Sequence, residues 1–203
     1  MRKIAEPISI PRQIAMSARI VLSTMMICCV LYILIILGVG QLLAPYTTNG
    51  SLIQNERGEI VGSESIAQEF TRPEYFWPRP SAADYNASAT GGSNWSPTNP
   101  ALRERAETIL ARINAAGAKP VPADLVTASG SGMDPHITLN AAQYQAGRVA
   151  SARGLAVEQV TKLIEKQAKH TGGVLTPEPL VNVLLLNMSL DRRRQSYEQQ
   201  PRR

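Results

Sequence analysis

IVLSTMMICCVLYILIILGVGQLL, residues Ile20 to Leu43, is a run of roughly 24 residues without a charge, and about twenty apolar residues suffice to cross the ~30 Å hydrocarbon core of a bilayer. The apolar core of a signal peptide is shorter, about 7–15 residues. The run therefore reads as an uncleaved anchor, although Leu42-Leu43-Ala44 has the look of a cleavage ending. A helix buried in a soluble core would show polar positions at helical spacing, and only Ser23, Thr24 and Gln41 interrupt this one.

Working outward, Arg2, Lys3, Arg12 and Arg19 precede the span, whereas the first basic residue after it is Arg57. Basic residues concentrate on the cytoplasmic side of a span, so the expected layout is a cytoplasmic tail at 1–19, a transmembrane helix at 20–43, an extracytoplasmic domain at 44–190 and a basic tail at 191–203. The expected location is the inner (plasma) membrane, with the body periplasmic or extracellular. Cys28 and Cys29 both lie within the anchor, and adjacent cysteines do not form an ordinary disulfide, so no disulfide framework is expected outside.

The net charge of +5 suggests an anionic partner at first sight. Its distribution argues against nucleic acid: the two ends hold the excess, and residues 44–190 carry 12 Lys/Arg against 13 Asp/Glu. Arg192-Arg193-Arg194 reads as a solvated run suited to a helix carboxyl end.

About 160 residues beyond the anchor make one ordinary domain. Gly50–Gln54 and Gly58–Gly62 are β-like runs around the turn-forming Asn55-Glu56-Arg57-Gly58, which predicts a hairpin. Residues 72–100 are crowded with Pro, Gly, Ser and Asn and read as a loop. Tyr75-Phe76-Trp77 within it argue that it packs onto the body. Asn99-Pro100 starts a helix with Leu102, Ala106, Ile109, Leu110 and Ile113 on one face, expected to be buried, and Gly117 as its stop. Asp124–Ala128 is read as a short strand. A helix capped by Thr138 or Asn140 runs to about Arg153, with Ala142, Ala146, Val149 and Ala150 inward and Gly154 as its stop. Another covers about Val157 to His170, with Val157, Val160, Leu163 and Ile164 on one face and Gly172-Gly173 beyond. Val181 to Leu186 reads as a strand. The fold class is α/β: one amino-terminal transmembrane helix followed by a single mixed α/β domain.

Two segments invite a chemical reading. SGSGMDPH, Ser129 to His136, places hydroxyls, the Asp134 carboxylate and His136 within eight residues. A Ser-His-Asp hydrolase assembles its groups from distant segments, and no Gly-x-Ser-x-Gly elbow surrounds Ser129 or Ser131. Gly130 and Gly132 suit a backbone nest, but the Gly-Lys-Ser/Thr ending of a phosphate loop is missing. Two ligands, Asp134 and His136, fall short of a closed zinc site. A structural turn or contact loop is the favoured reading, with a membrane-tethered hydrolase or ligand-binding protein as the alternative. The second segment runs from Tyr75 and Phe76 through Arg79-Pro80-Ser81-Ala82 to Gly91-Gly92-Ser93-Asn94, where Arg79 and the aromatics suit a partner-binding edge.

These residues, followed by Asn99-Pro100, DLVTASGSG-x-DPH from Asp124 to His136, Arg148-Val149-Ala150 with Ala152-Arg153-Gly154, and Val181-Asn182-Val183 with Asn187 and Leu190-Asp191, resemble the C subunit of Kdp-type potassium-transporting ATPases over nearly the whole chain. Trp95-Ser96 and Leu185 depart from the family pattern. The resemblance implies an accessory subunit that is not itself an enzyme. Its partners would be a channel-like subunit that selects potassium, a P-type subunit that hydrolyses ATP and a small stabilising subunit. ATP and potassium are then handled by the complex, and this chain holds no cofactor of its own. The family is described as nucleotide-binding and as raising the ATPase subunit's affinity for ATP. The chain's own residues agree that it is not the pump, because one span builds no alternating-access path and no DKTGT-like or Walker sequence occurs. Ser23, Thr24, Gly38, Gly40 and Gln41 make the span a candidate contact surface.

Overall fold

The computed structural model describes residues 9–113, 120–170 and 178–198. It divides into two compact units, Met1–Ser51 and Leu52–Arg203. Gly117, Gly172-Gly173 and Pro177 lie outside the described residues, as do Arg2, Lys3, Arg202 and Arg203.

The first unit is dominated by one helix, α1 (Ile10–Leu43), long and apolar enough to cross a membrane. It starts ten residues before the uncharged run, with Pro11 in its first turn, where the missing N–H costs nothing. Met26–Leu31, which includes both cysteines, forms a π turn within it. Thr24 and Gln41 have partners in their own unit: the Thr24 hydroxyl donates to the Ile20 and Val21 carbonyls, at 2.9 Å each. At the end of α1 the backbone turns at Ala44 into one further helical turn, Pro45–Thr48. Gln41 and Asn49 exchange amide hydrogen bonds of 3.0 and 3.3 Å across this elbow. A Cβ on Gly40 would stand 2.8 Å from the Thr48 hydroxyl oxygen.

The second unit opens with the expected hairpin, β1 (Leu52–Gln54) against β2 (Ile60–Ser63), antiparallel with Ile53 opposite Gly62. The Asn55 carboxamide closes its turn by accepting from the Arg57 and Glu59 amides. Residues 64–99 then contain no helix or strand. Helix α2 (Pro100–Ile113) begins as expected, the Asn99 side chain accepting from the Ala101 amide at 2.9 Å. Its apolar face is a different matter, for none of its 14 residues is buried.

Ala123–Leu125 is a single 3-10 turn where a strand was expected. Two prolines, Pro120 and Pro122, precede it, and the Asp124 carboxylate accepts from the Thr138 amide at 2.8 Å, which ties the turn across to β3 (His136–Thr138). Thr138 caps α3 (Leu139–Arg153) through the Ala141 amide, and Gly154 ends it in the left-handed region at φ 65°. Helix α4 (Val157–Gln167) buries Val160, Leu163 and Ile164, while Val157 stays exposed. It ends before His170 because Ala168 turns extended and Lys169 pairs with Leu180.

The run from Val181 to Leu186 is only in part a strand. β4 (Leu180–Asn182) pairs antiparallel with β3, and α5 (Val183–Glu198) begins at the next residue. The Asn182 carboxamide accepts from the Leu185 amide at 3.1 Å, the bond of a helix cap. A run whose only polar residue is Asn182 does not reveal by periodicity where strand gives way to helix. Arg192 and Arg193 lie on α5 itself, which runs past the expected boundary at residue 190. Small inward residues of α3, namely Ala141, Ala142, Ala146 and Ala150, let it pack closely with Val160 and Ile164 of α4 and Val183, Leu186 and Leu190 of α5, and Phe76 from the long loop completes this core.

Candidate functional site

The two segments singled out by chemistry meet. Pro80 accepts from the Ser129 amide at 3.1 Å, and Ser131 accepts from the Gly91 amide at 2.8 Å. Ser81 links them further: its hydroxyl donates to the Gly132 carbonyl at 2.6 Å and accepts from the Ala83 and Tyr85 amides. Arg79 reaches the Asp134 carboxylate at 3.3 Å and the Ala128 carbonyl at 3.4 Å, with its Nε buried and unpartnered. Gly132 sits at φ +70°, where a Cβ would come within 2.8 Å of the Gly91 carbonyl oxygen, and a Cβ on Gly92 would come within 2.9 Å of the Gly130 carbonyl oxygen. Glycine is needed at both positions, at Gly132 for conformation as well as space. Gly130 has open space around it. Asn94 is exposed, in the left-handed region at φ 50°, with its side-chain oxygen 3.7 Å from where a Cβ on Gly92 would stand.

The hydroxyls and the imidazole do not form a relay. Ser129 is buried, the Ser131 hydroxyl accepts from the Met133 amide at 3.1 Å, and His136 points its Nδ1 to Asp134 at 3.4 Å. Among the described residues no hydrogen bond joins either serine to His136. Burial by itself raises the Asp134 carboxyl, but hydrogen bonds from His136 and the charge of Arg79 outweigh it, so that it titrates below its ordinary value. Among the described residues no group of three metal-ligating side chains occurs either.

Phe76 and Arg148 belong to a neighbouring arrangement around the chain from Pro73 to Trp77. The Asn187 carboxamide accepts from the Phe76 amide at 2.8 Å and donates to its carbonyl at 3.0 Å. Gln145 does the same for Trp77, at 2.8 and 3.1 Å. Two buried amide side chains thus serve two consecutive residues as a neighbouring strand would. Arg148 donates to the Pro73 and Tyr75 carbonyls and to Gln145, with its guanidinium 3.8 Å from the Trp77 ring centroid. Arg112 lies over the same ring at 4.4 Å. Burial, and next to it the Arg112 charge, push Arg148 down to about 10, so it remains a cation at neutral pH. Arg153 donates to the Glu74 carbonyl and pairs with Asp191 at 2.8 Å, and Asp191 also accepts from the Tyr75 hydroxyl.

Between α2 and α3 lies a cavity of about 600 Å³ walled by Trp77, Tyr85, Tyr144 and the two arginines, among others. Burial, and after it Glu69, push the Tyr85 hydroxyl up to about 12, and that hydroxyl donates to the Arg79 carbonyl. Sequence reasoning did not single out Gln145 or Arg112 as site residues, and it had Trp77 only among the aromatics of the second segment. Gln145 had a visible signal, a polar residue on the inward face of a helix otherwise lined by Ala142, Ala146 and Val149.

The family model for KdpC, described as the c chain of the K+-transporting ATPase, matches residues 14–192. The potassium-transporting ATPase KdpC subunit of Parvibaculum lavamentivorans is 50% identical over 176 residues, covering 87% of this chain and 94% of the relative. The KdpC subunit of Myxococcus xanthus is 50% identical across 84% of this chain and 83% of its own length. That of Serratia proteamaculans is 52% identical across 79% and 87%.

Proposed function

We propose that this chain, which belongs to the KdpC family of K+-transporting ATPase c chains, is a non-catalytic accessory subunit that stabilises the transporter and modulates its ATPase subunit. The observation that carries the reading is the interlock: Arg79, Ser81, Gly91, Gly92, Ser129, Gly132 and Asp134 hold one loop against another, and the grouping of hydroxyl, carboxylate and imidazole is used structurally. Such a device shapes a surface and performs no bond chemistry.

In this reading α1 spans the inner membrane with its basic end cytoplasmic, and the body faces outward near the potassium entrance of a channel-like subunit. A P-type subunit hydrolyses ATP and a small subunit steadies the assembly. An external domain does not touch cytoplasmic ATP. Its effect on ATP affinity is a coupling: contacts that favour one pump conformation change affinity at a distant site.

The test is purification of the tagged wild-type chain in mild detergent from cells expressing the whole transporter. Recovery of the channel-like and ATP-hydrolysing subunits is expected, along with potassium-stimulated ATP hydrolysis that collapses when this chain is omitted. His136→Gln leaves that hydrolysis within a few-fold of wild type, well short of the roughly 10²–10⁴-fold loss expected from removing a general acid or base. A complex that stays intact yet loses hydrolysis in His136→Gln defeats the non-catalytic assignment.

A further inference from the structure

The cavity between α2 and α3 combines two deficits. The first is electrical. Its wall carries the guanidiniums of Arg112 and Arg148 against the single carboxylate of Glu69, and among the described residues neither arginine makes an ion pair. Arg148 is held by three hydrogen bonds to its own fold. Exposed Arg112 has one long bond, 3.3 Å to the Phe70 carbonyl, of the five N–H groups a guanidinium offers.

The second deficit is one of cover. Leu102, Ala106, Ile109, Leu110 and Ile113 of α2 are spaced to bury one face, yet every one of them is only half-buried. The stripe from Leu102 to Ile113 is roughly 17 Å long at 1.5 Å per residue, more than a small anion would cover. Trp77, Tyr144, Ile109 and Ile113 contribute ring faces and aliphatic surface beside the cations, and Trp, Tyr and Arg dominate the energetics of protein interfaces.

We infer that this groove is a docking site for an acidic segment of another subunit of the transporter, one that places an Asp or Glu on Arg112 and aliphatic side chains along α2. The inference rests on the accessory-subunit reading and adds to it a surface and the chemistry of the partner. The carboxylate takes the free N–H groups of Arg112 and sits in the field of Arg148, relieving the repulsion between the two cations. The aliphatic neighbours of that carboxylate complete the cover of Ile109 and Ile113.

The experiment uses the assembled transporter. Arg112→Glu and Arg112→Ala are purified beside wild type, and a photoreactive amino acid is placed at Gln143, an exposed residue on the cavity wall. Arg112→Glu is expected to weaken retention of the partner subunits about tenfold, equivalent to ~1.4 kcal/mol, with Arg112→Ala intermediate and the melting temperature of the full chain in detergent unchanged for both. The photoadduct should map to a peptide of another subunit containing Asp or Glu. Wild-type retention in both variants, or an adduct with lipid, with a nucleotide, with this chain alone or with nothing, overturns the docking site while the accessory role stands. If the wild-type chain itself recovers no transporter subunit, the accessory reading falls and the docking site falls with it.

Discussion

Helix α2 and the loop around Phe76 reverse what their local order suggests. The helix has every local credential, an Asn cap, a Pro at its first position and an apolar stripe, and buries no residue. The loop has no regular structure and contributes Phe76, one of the largest fully buried side chains of the chain. Local regularity comes from neighbours in sequence, whereas depth comes from distant groups able to satisfy the backbone. For Phe76 and Trp77 those groups are Asn187 and Gln145, 111 and 68 residues away.

The strongest way to break this contrast is to empty the loop's anchor. Phe76→Ala should destabilise the full chain by about 3–5 kcal/mol, a fall in melting temperature of roughly 6–20 °C at 2–4 °C per kcal/mol, read by circular dichroism in detergent. A drop no larger than that of an exposed substitution would show that the loop's burial is incidental. Gly132→Val comes next. A β-branched residue there is strained at φ +70° and its Cβ meets the Gly91 carbonyl oxygen, for about 3 kcal/mol, so a normal yield of folded complex would contradict the interlock. Asn187→Leu keeps the branched outline of the side chain and removes both hydrogen bonds to Phe76, leaving a buried amide and carbonyl without partners, at about 2 kcal/mol. Asn187→Asp should recover only the bond from the Phe76 amide.

Asp134 gives a smaller effect with a definite pH dependence. Its folded carboxyl titrates below the ordinary value near 3.9. Its contribution is therefore present above about pH 4 and lost as pH falls through the folded value. Asp134→Asn should be less stable than wild type at pH 6, and the gap between their melting temperatures should close on acidification. A constant gap removes the ionised carboxylate from the account. The smallest effect is expected in α2: Ile109→Ala should cost about 1 kcal/mol in the isolated full chain, against 2–5 kcal/mol for a buried Ile. A larger cost in the assembled transporter would show that a partner completes the cover.

The local half of this fold was legible in sequence. Asn99-Pro100 and Gly154 announced helix boundaries, Thr138 was one of two candidate caps with Asn140, Asn55-Glu56-Arg57-Gly58 announced a hairpin, and the alanines of α3 announced close packing. The candidate loops were legible as a pair of special segments, but their mutual contact was not, since Ser81 and Gly132 meet across 51 residues and nothing in either short stretch names the other. The expected burial of α2 failed because periodicity orients a face without supplying the surface to cover it. The strand expected at Val181–Leu186 failed because the decisive signal was one side chain, Asn182, placed to cap a helix.

That Asn182 junction makes β4 and α5 a single mechanical part. No loop separates the last strand residue from the first helical one, and Asn182 is clamped from both sides, donating to the Glu64 carbonyl while accepting from Leu185. Each residue added to a helix turns the remainder of that helix by about 100°. One residue inserted after Asn182 would therefore rotate Asn187 away from Phe76 and Asp191 away from Arg153 together, with no slack in which to absorb the turn. The angular setting of the whole carboxyl-terminal helix, and through it the seating of the long loop, is dialled at one peptide bond.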